Sequence, residues 1–307
     1  MARALLSTLI LGLVSAQPVS AQNEETPPSE IIVSGDRDPR QQKKAINQFI
    51  RTVMRPESSD QYARFNTPIC PSAIGFSQSV EALIESRIRE VAEAAKINLA
   101  SNKCKPNLHV VLVEYGKDAV RLLRSKARGA FGRMRPYERD QIERGEGPVY
   151  NWHAVFPVSS DTGGNRAVLN SGGTGAVGAG AALLGEPAYN AGMTNVKSRL
   201  LMPIQQDIAH GVVLIEREAA RGLSAIQVAD FAAMRGLLNA RSNSADLTSV
   251  ATIMNLFDAE EGDLLPGLSE WDLALLTALY KAPADMNSDR QRSLMSRTFQ
   301  KVLAEGS

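Results

Sequence analysis

What this chain lacks narrows its chemistry before any motif is read. It has only two cysteines, Cys70 and Cys104, and three histidines, His109, His153 and His210, scattered without the spacing of a metal-ligand motif. No charge of either sign dominates, since 34 Lys and Arg stand against 33 Asp and Glu. A strongly basic face for nucleic acid is therefore not implied, nor is the acidic excess of a disordered solvating chain. Beyond the N-terminus no apolar run is long enough to span a bilayer. Glycines cluster between residues 161 and 195, yet no Gly-Lys-Ser/Thr follows them, which removes a phosphate-binding P-loop. No strand-turn-helix pattern surrounds them either, which removes a dinucleotide fingerprint.

What is present starts at the N-terminus. Arg3 precedes a run of about ten mostly apolar residues, Leu5 to Val14, and Val19-Ser20-Ala21 stands before Gln22, the layout of a secretory signal peptide over residues 1–21. The expectation is an exported protein, periplasmic or secreted in a Gram-negative bacterium, with no transmembrane span after cleavage. In such an oxidising compartment Cys70 and Cys104 read most simply as one disulfide; two free thiols and a metal site are the alternatives. A bridge there closes a loop of about 34 residues and stabilises by roughly 3 to 4 kcal/mol in the chain-entropy model.

Residues 22–40 are polar, carry Pro27, Pro28 and Pro39, and read as a disordered leader. A domain over residues 41–283 follows, with the Gly-rich stretch 161–195 as an insertion, and then a C-terminal helix within 284–307. Apolar residues repeat at helical spacing over 41–55 (Ala45, Ile46, Phe49, Ile50, Val53) and 77–97 (Val80, Leu83, Ile84, Ile88, Val91, Ala94). Residues 108–114 form a Val-rich run typical of a strand covered on both faces. A helix over 117–126, a solvated charged segment over 135–144 and an alternating strand over 149–158 come next. Further strands are expected at 196–202 and 211–215, a helix capped by Ser224, and closing helices at 270–281 and 289–305. The fold class is α/β or α+β: a small twisted sheet of three to five strands with packed helices.

One stretch carries a recognisable frame. In Ala229-Asp230-Phe231-Ala232-Ala233-Met234-Arg235-Gly236, with Asn239 beyond it, the spacing matches His-Glu-x-x-His-x-x-Gly-x-x-ligand. Then Thr252-Ile253-Met254-Asn255 resembles a Met-turn, and Leu268-Ser269-Glu270-Trp271-Asp272, ending in Leu279-Tyr280, resembles the helix that follows it in matrixin-like peptidases. The last third of the chain is thus similar to a zincin of the metzincin branch, and to exported bacterial proteins of unknown function that keep this frame without its histidines. The resemblance implies a zincin-like C-terminal half in which Gly236, Met254, Asp272 and Tyr280 are structural. Ala229 and Ala233 stand where two zinc-binding imidazoles would be and Asn239 where the third ligand would be, so the zinc site is lost. Asp230, in the place of the general base, is the one catalytic candidate, and without metal it has no activated water to work on.

The alternative to the frame is a packing helix whose buried stripe is Ile226, Ala229, Ala233, Met234 and Leu237. Asp207 and His210, spaced for one helical face and helped by Asp230, are the only other metal candidates; His109 reads as structural, and His153 as facing a groove or water. The expected function is a catalytically inactive zincin-like protein, without cofactor, that binds a peptide or protein partner. In zincins an edge strand lines the groove and pairs with extended peptide, a role expected here of residues 196–202. The alternatives are a metal-dependent hydrolase with relocated ligands, or an envelope accessory protein. The last rests on Ser29-Glu30-Ile31-Ile32-Val33-Ser34-Gly35, which resembles the segment near the mature N-terminus of TonB-dependent outer-membrane receptors.

Overall fold

A computed structural model describes residues 38–160, 201–240 and 250–306. The signal assignment, residues 22–37 of the leader, the Gly-rich stretch 161–195 and residues 196–200 lie outside the described residues; the last leader residues, 38–40, instead cap and begin a helix, Asp38 accepting from the Arg40 N–H.

Four strands form one sheet in the order β1-β2-β4-β3: β1 (Pro71–Ile74), β2 (Leu108–Val113), β3 (Val149–Ser159) and β4 (Ile204–Glu216). β1, β2 and β4 run parallel, and β3 lies antiparallel on the outer side of β4. Seven α-helices are described: α1 (Pro39–Val53), α2 (Gln78–Ala94), α3 (Gly116–Lys126), α4 (Pro136–Arg144), α5 (Ala225–Leu237), α6 (Glu270–Lys281) and α7 (Ser288–Gly306). This is the α/β class that the periodicity predicts, with a small mixed sheet.

Period-two alternation divides the sheet between two cores. Leu108, Val110, Val213 and Ile215 face the larger one, which α1, α2, α5, α6 and α7 complete. Val212, Leu214, Tyr150 and Trp152 face the smaller, closed by Val120 of α3 and by Phe131, whose ring stacks on Trp152 at 4.8 Å between centroids. Trp152 also donates its indole N–H to the Ala130 carbonyl at 2.9 Å, so its polar edge is satisfied inside the core. Covering both faces explains the near-continuous apolar run of β2.

Three expectations need correction. β4 begins at Ile204, seven residues before the predicted Gly211, because its first half carries Gln205, Gln206 and Asp207 and lacks an apolar signature. That half takes a backbone partner from elsewhere: Arg64 donates its N–H to the Gln206 carbonyl and accepts from the Ile208 N–H. Of the strand expected at 196–202 only residues 201 and 202 are described, and they are not in a strand; the antiparallel neighbour of β4 is β3. On α2, Leu83 is exposed and so is Ala94, while Ala92 is buried in the stripe.

Cys70 and Cys104 form the expected disulfide, 34 residues apart, tying the entry of β1 to the loop before β2. No described helix is long and apolar enough to cross a membrane. The bridge constrains the unfolded chain, so Cys70→Ser/Cys104→Ser is expected to lose about 3 to 4 kcal/mol in urea unfolding. The same loss should appear in the parent protein under reductant and be absent in the variant.

Candidate functional site

The helix that carries the motif frame is held by caps at both ends. Ser224 accepts from the Gln227 N–H at 3.1 Å, and the Gln227 side chain returns to the Ser224 N–H at 2.9 Å, a reciprocal capping box. At the other end the Tyr280 hydroxyl donates to the Leu237 carbonyl at 3.0 Å. Between them every residue from Val228 to Leu237 is buried. α5 is therefore not the amphipathic helix of the alternative reading: no solvent face remains over this stretch, and only the first turn, Ala225 to Gln227, reaches water, with Ile226 37% exposed.

Ala229 and Ala233, both fully buried, share one core with Ile253 and Met254 of a 3-10 turn that packs on α5. Neither alanine offers a donor to a metal. Asn239 is engaged as well: its amide donates to the Glu57 carboxylate, its carbonyl accepts from the Arg55 N–H at 3.3 Å, and Ala240 bridges to Met54. The chain's own residues 54–57 thus cover the position of a third ligand, and burial pushes the Glu57 carboxyl above its ordinary value. The residues present do not fit zinc.

Asp230 is fully buried, and its two oxygens are taken up by a bidentate pair with Arg87 of α2, at 2.7 and 3.1 Å, and by the Leu268 N–H at 2.7 Å. A carboxylate so placed joins three segments and faces no cleft from which to act as a base. Gly267 stands beside it because a Cβ there would lie 2.7 Å from Asp230 Oδ2.

Asp272 acts in the same way at the start of the next helix. Fully buried, it accepts from the Thr252 hydroxyl, from the Ile253 N–H at 2.9 Å, and from the Ser269 N–H and hydroxyl at 3.0 and 2.8 Å. Burial raises its pKa, and these donors oppose the shift. The Met254 turn and the start of α6 are fixed together through this carboxylate.

Gly236 lets α5 approach the sheet: a Cβ would fall 2.4 Å from Leu108 Cδ1. Its carbonyl meets His153 Nε2 at 2.9 Å, so His153 faces α5 and is buried, not turned to a groove or to water. Burial lowers its pKa to about 4 and keeps the ring neutral.

Asp207 and His210 lie on a strand, not on a helical face. Residues opposite one another across an antiparallel pair share a face, and here Asp207 faces Phe156 while His210 faces Ala154, with Ala209 of β4 bulged opposite Ala154 and Val155. The bulge returns both to one side of the sheet. That side carries Trp152 and Tyr150, away from α5, so Asp230 is not brought to them. Asp207 accepts from the Asn66 amide, and His210 stacks on His109 at 6.2 Å between ring centroids. Burial, with His109 and Lys105 nearby, lowers the His210 pKa to about 4. Among the described residues no three His, Cys, Asp or Glu gather to hold a metal.

Two side chains central to this arrangement carry no signal in the sequence. Arg87 sits in the middle of α2 as one more charged residue. Arg64, in a loop, donates to the carbonyls of Leu279 at 2.7 Å, Tyr280 at 3.1 Å and Ala282, neutralising the C-terminal end of α6.

Removing Asp230 strands a guanidinium and an N–H. Asp230→Ala is expected to cost about 3 kcal/mol in chemical denaturation, toward the low end for a broken buried pair because the Arg87 side chain is 30% exposed. A loss below about 1 kcal/mol, the size of a surface pair, would contradict the assignment. The histidines give a pH dependence. Unfolded, His153 and His210 protonate near 6.5, and in the fold only near 4. Between those values the unfolded state binds more protons, so stability falls as pH drops from 6.5 toward 4. At about 1.4 kcal/mol per unit, His153 alone accounts for on the order of 3 kcal/mol. Urea midpoints across this window should show the slope, and His153→Gln should reduce it by about half, His210 carrying the remainder. Comparison with protein-family models, with curated proteins and with solved structures gives no match for this chain.

Proposed function

We propose that this chain is an exported, non-catalytic protein with a zincin-like body that binds an extended peptide or a segment of a partner protein, working in the periplasm of a Gram-negative bacterium. The observation that carries this reading is the burial of α5 on every side, with both oxygens of Asp230 engaged and alanine at two of the three ligand positions. The succession of an antiparallel edge strand, β4, a capped helix with a close-packed Gly236, a buried Met254 turn and a helix from Ser269 to Tyr280 supports the zincin-like frame. The disulfide is compatible with export.

Binding by strand addition needs backbone groups and no metal. β3 takes the role that the sequence assigns to residues 196–202: it is antiparallel to β4, eleven residues long, and no described strand pairs with its outer edge. A relocated-ligand hydrolase is not favoured, because Asp207 and His210 share one side of the sheet while Asp230 lies on the other, and no third ligand joins them among the described residues. The accessory role through residues 30–35 concerns residues outside the described ones.

A peptide array probed with the purified protein, followed by hydrogen exchange with a bound peptide, tests the proposal. Slower exchange confined to the amides of β3 is the expected result. Stoichiometric zinc in the purified protein, together with peptide hydrolysis that a chelator abolishes, would overturn it.

A further inference from the structure

The faces that α1 and α7 turn toward each other outside the core are polar, and they bound a cleft of about 880 Å³. On α1 the residues involved recur at helical spacing: Lys43, Asn47 and Arg51 along one row, Lys44, Gln48 and Thr52 along the next. The opposite face of the same helix supplies Ile46, Phe49, Ile50 and Val53 to the core, so the polar rows flank a buried stripe. α7 does likewise, burying Met295 and Phe299 and presenting Asp289, Arg292, Ser293 and Ser296 to the cleft.

Charge is uneven here in a chain that is nearly neutral overall. Lys43, Lys44, Arg51 and Arg292 line the cleft against one carboxylate, Asp289, which is paired with Arg292. Three cations of α1 thus face the cleft with no carboxylate of α1 among its lining residues. At the wall stands Ser296, 1% exposed, whose hydroxyl has no hydrogen-bond partner. A buried hydroxyl left unpartnered costs free energy, and a polar ligand removes that cost.

We infer that the α1–α7 cleft is a binding site for a phosphate group carried on a polar, hydroxylated body. An oxyanion with several acceptor oxygens accepts at once from ammonium, guanidinium and hydroxyl donors approaching from two helices, and such charge-assisted bonds are the strong ones. The cleft lies in the range of small-molecule sites and is larger than a bare phosphate, so the anion comes with an attached group. Amides and hydroxyls outnumber apolar residues along its walls, which fits a body that hydrogen-bonds. The same chemistry is offered by a soluble phosphate ester and by a phospholipid headgroup.

Both sources are tested on the intact purified protein. Calorimetric titration with glycerol 3-phosphate, against glycerol as control, examines the soluble one. Co-sedimentation with phosphatidylcholine vesicles, with and without phosphatidylglycerol, examines the lipid one. Saturable binding of either, weakening as salt rises, is expected, and which of the two binds identifies the source. Lys43→Gln/Arg51→Gln should weaken it by about tenfold or more, since hydrogen bonds to charged groups are lost. Ser296→Ala should weaken it about fivefold while leaving the thermal midpoint of the free protein unchanged or higher, because an unpartnered hydroxyl contributes nothing to the fold. Failure of both sources to bind at low ionic strength overturns the inference, as does a Lys43→Gln/Arg51→Gln variant that binds like the parent. A fall in the thermal midpoint of Ser296→Ala would show that the hydroxyl serves the fold and overturn its assignment to the site.

Discussion

A carboxylate held away from water decides how the C-terminal half of this protein is arranged. Taking Asp230 out of solvent costs several kcal/mol, and the cost is offset only if every lone pair is met with good geometry. Arg87 meets it from α2 with two parallel hydrogen bonds, and the Leu268 N–H meets it from the approach to α6. Three segments far apart in sequence are therefore in register around one charge. Asp272 repeats the device, holding the turn at Thr252 to Met254 against the first residues of α6. Because both carboxylates are fully buried, each demands its partners, and the stretch from Thr252 to Leu268 is pinned at both ends.

The opposite end of the same helices is fixed by donors instead of acceptors. Exposed C-terminal carbonyls carry partial negative charge and want partners. Tyr280 supplies one to α5, and Arg64 supplies several to the end of α6. Burial raises the Tyr280 pKa well above that of a free phenol, so it remains a donor at any physiological pH. Arg64 belongs to a segment that also pairs by backbone with β4, and Gln61 in that segment donates to the carbonyls of Ile204 and Ala284. The chain before β1 thus lies across the ends of α5 and α6. The Asp230 carboxylate and the Leu237 carbonyl of α5 are thus both taken up by structural contacts.

Much of the fold was legible because its elements obey simple periodicities. Helices with a buried stripe, the two-sided apolar run of β2, the alternation of β3 and the cap at Ser224 all leave marks in the sequence that depend only on near neighbours. What was not legible depends on contacts across long separations. The first half of β4 looks like a loop because Gln205, Gln206 and Asp207 are polar, yet this half is placed by a chain segment more than a hundred residues earlier. The bulge opposite Ala154 and Val155, which decides which face Asp207 and His210 occupy, arises from pairing geometry and has no residue signature. Leu83 keeps helical spacing with its buried neighbours and still lies in water, since periodicity gives a stripe and not the width of what covers it. Asp230 and Asp272 were visible as positions in a frame, but Arg87 was not, because a guanidinium in mid-helix reads the same whether it meets solvent or a buried acid.

The two polar environments of this protein differ in a way that bears on where recognition resides. Around α5 and the 252–254 turn, buried acids are matched donor for acceptor, and matched groups have nothing left to offer a ligand. Between α1 and α7 the balance is reversed: three cations of α1 face the cleft and a buried hydroxyl has no partner. Overall composition cannot reveal this, because a net charge of +1 is compatible with any local distribution, and it is the local field in a concave surface that concentrates an anion. If the cleft binds an anion as inferred above, the groups that hold the fold and the groups that meet the ligand are different ones. Substitutions that loosen the Asp230 and Asp272 contacts act on folding, whereas the exposed rows of α1 can change their charge without disturbing the stripe that holds the helix to the core.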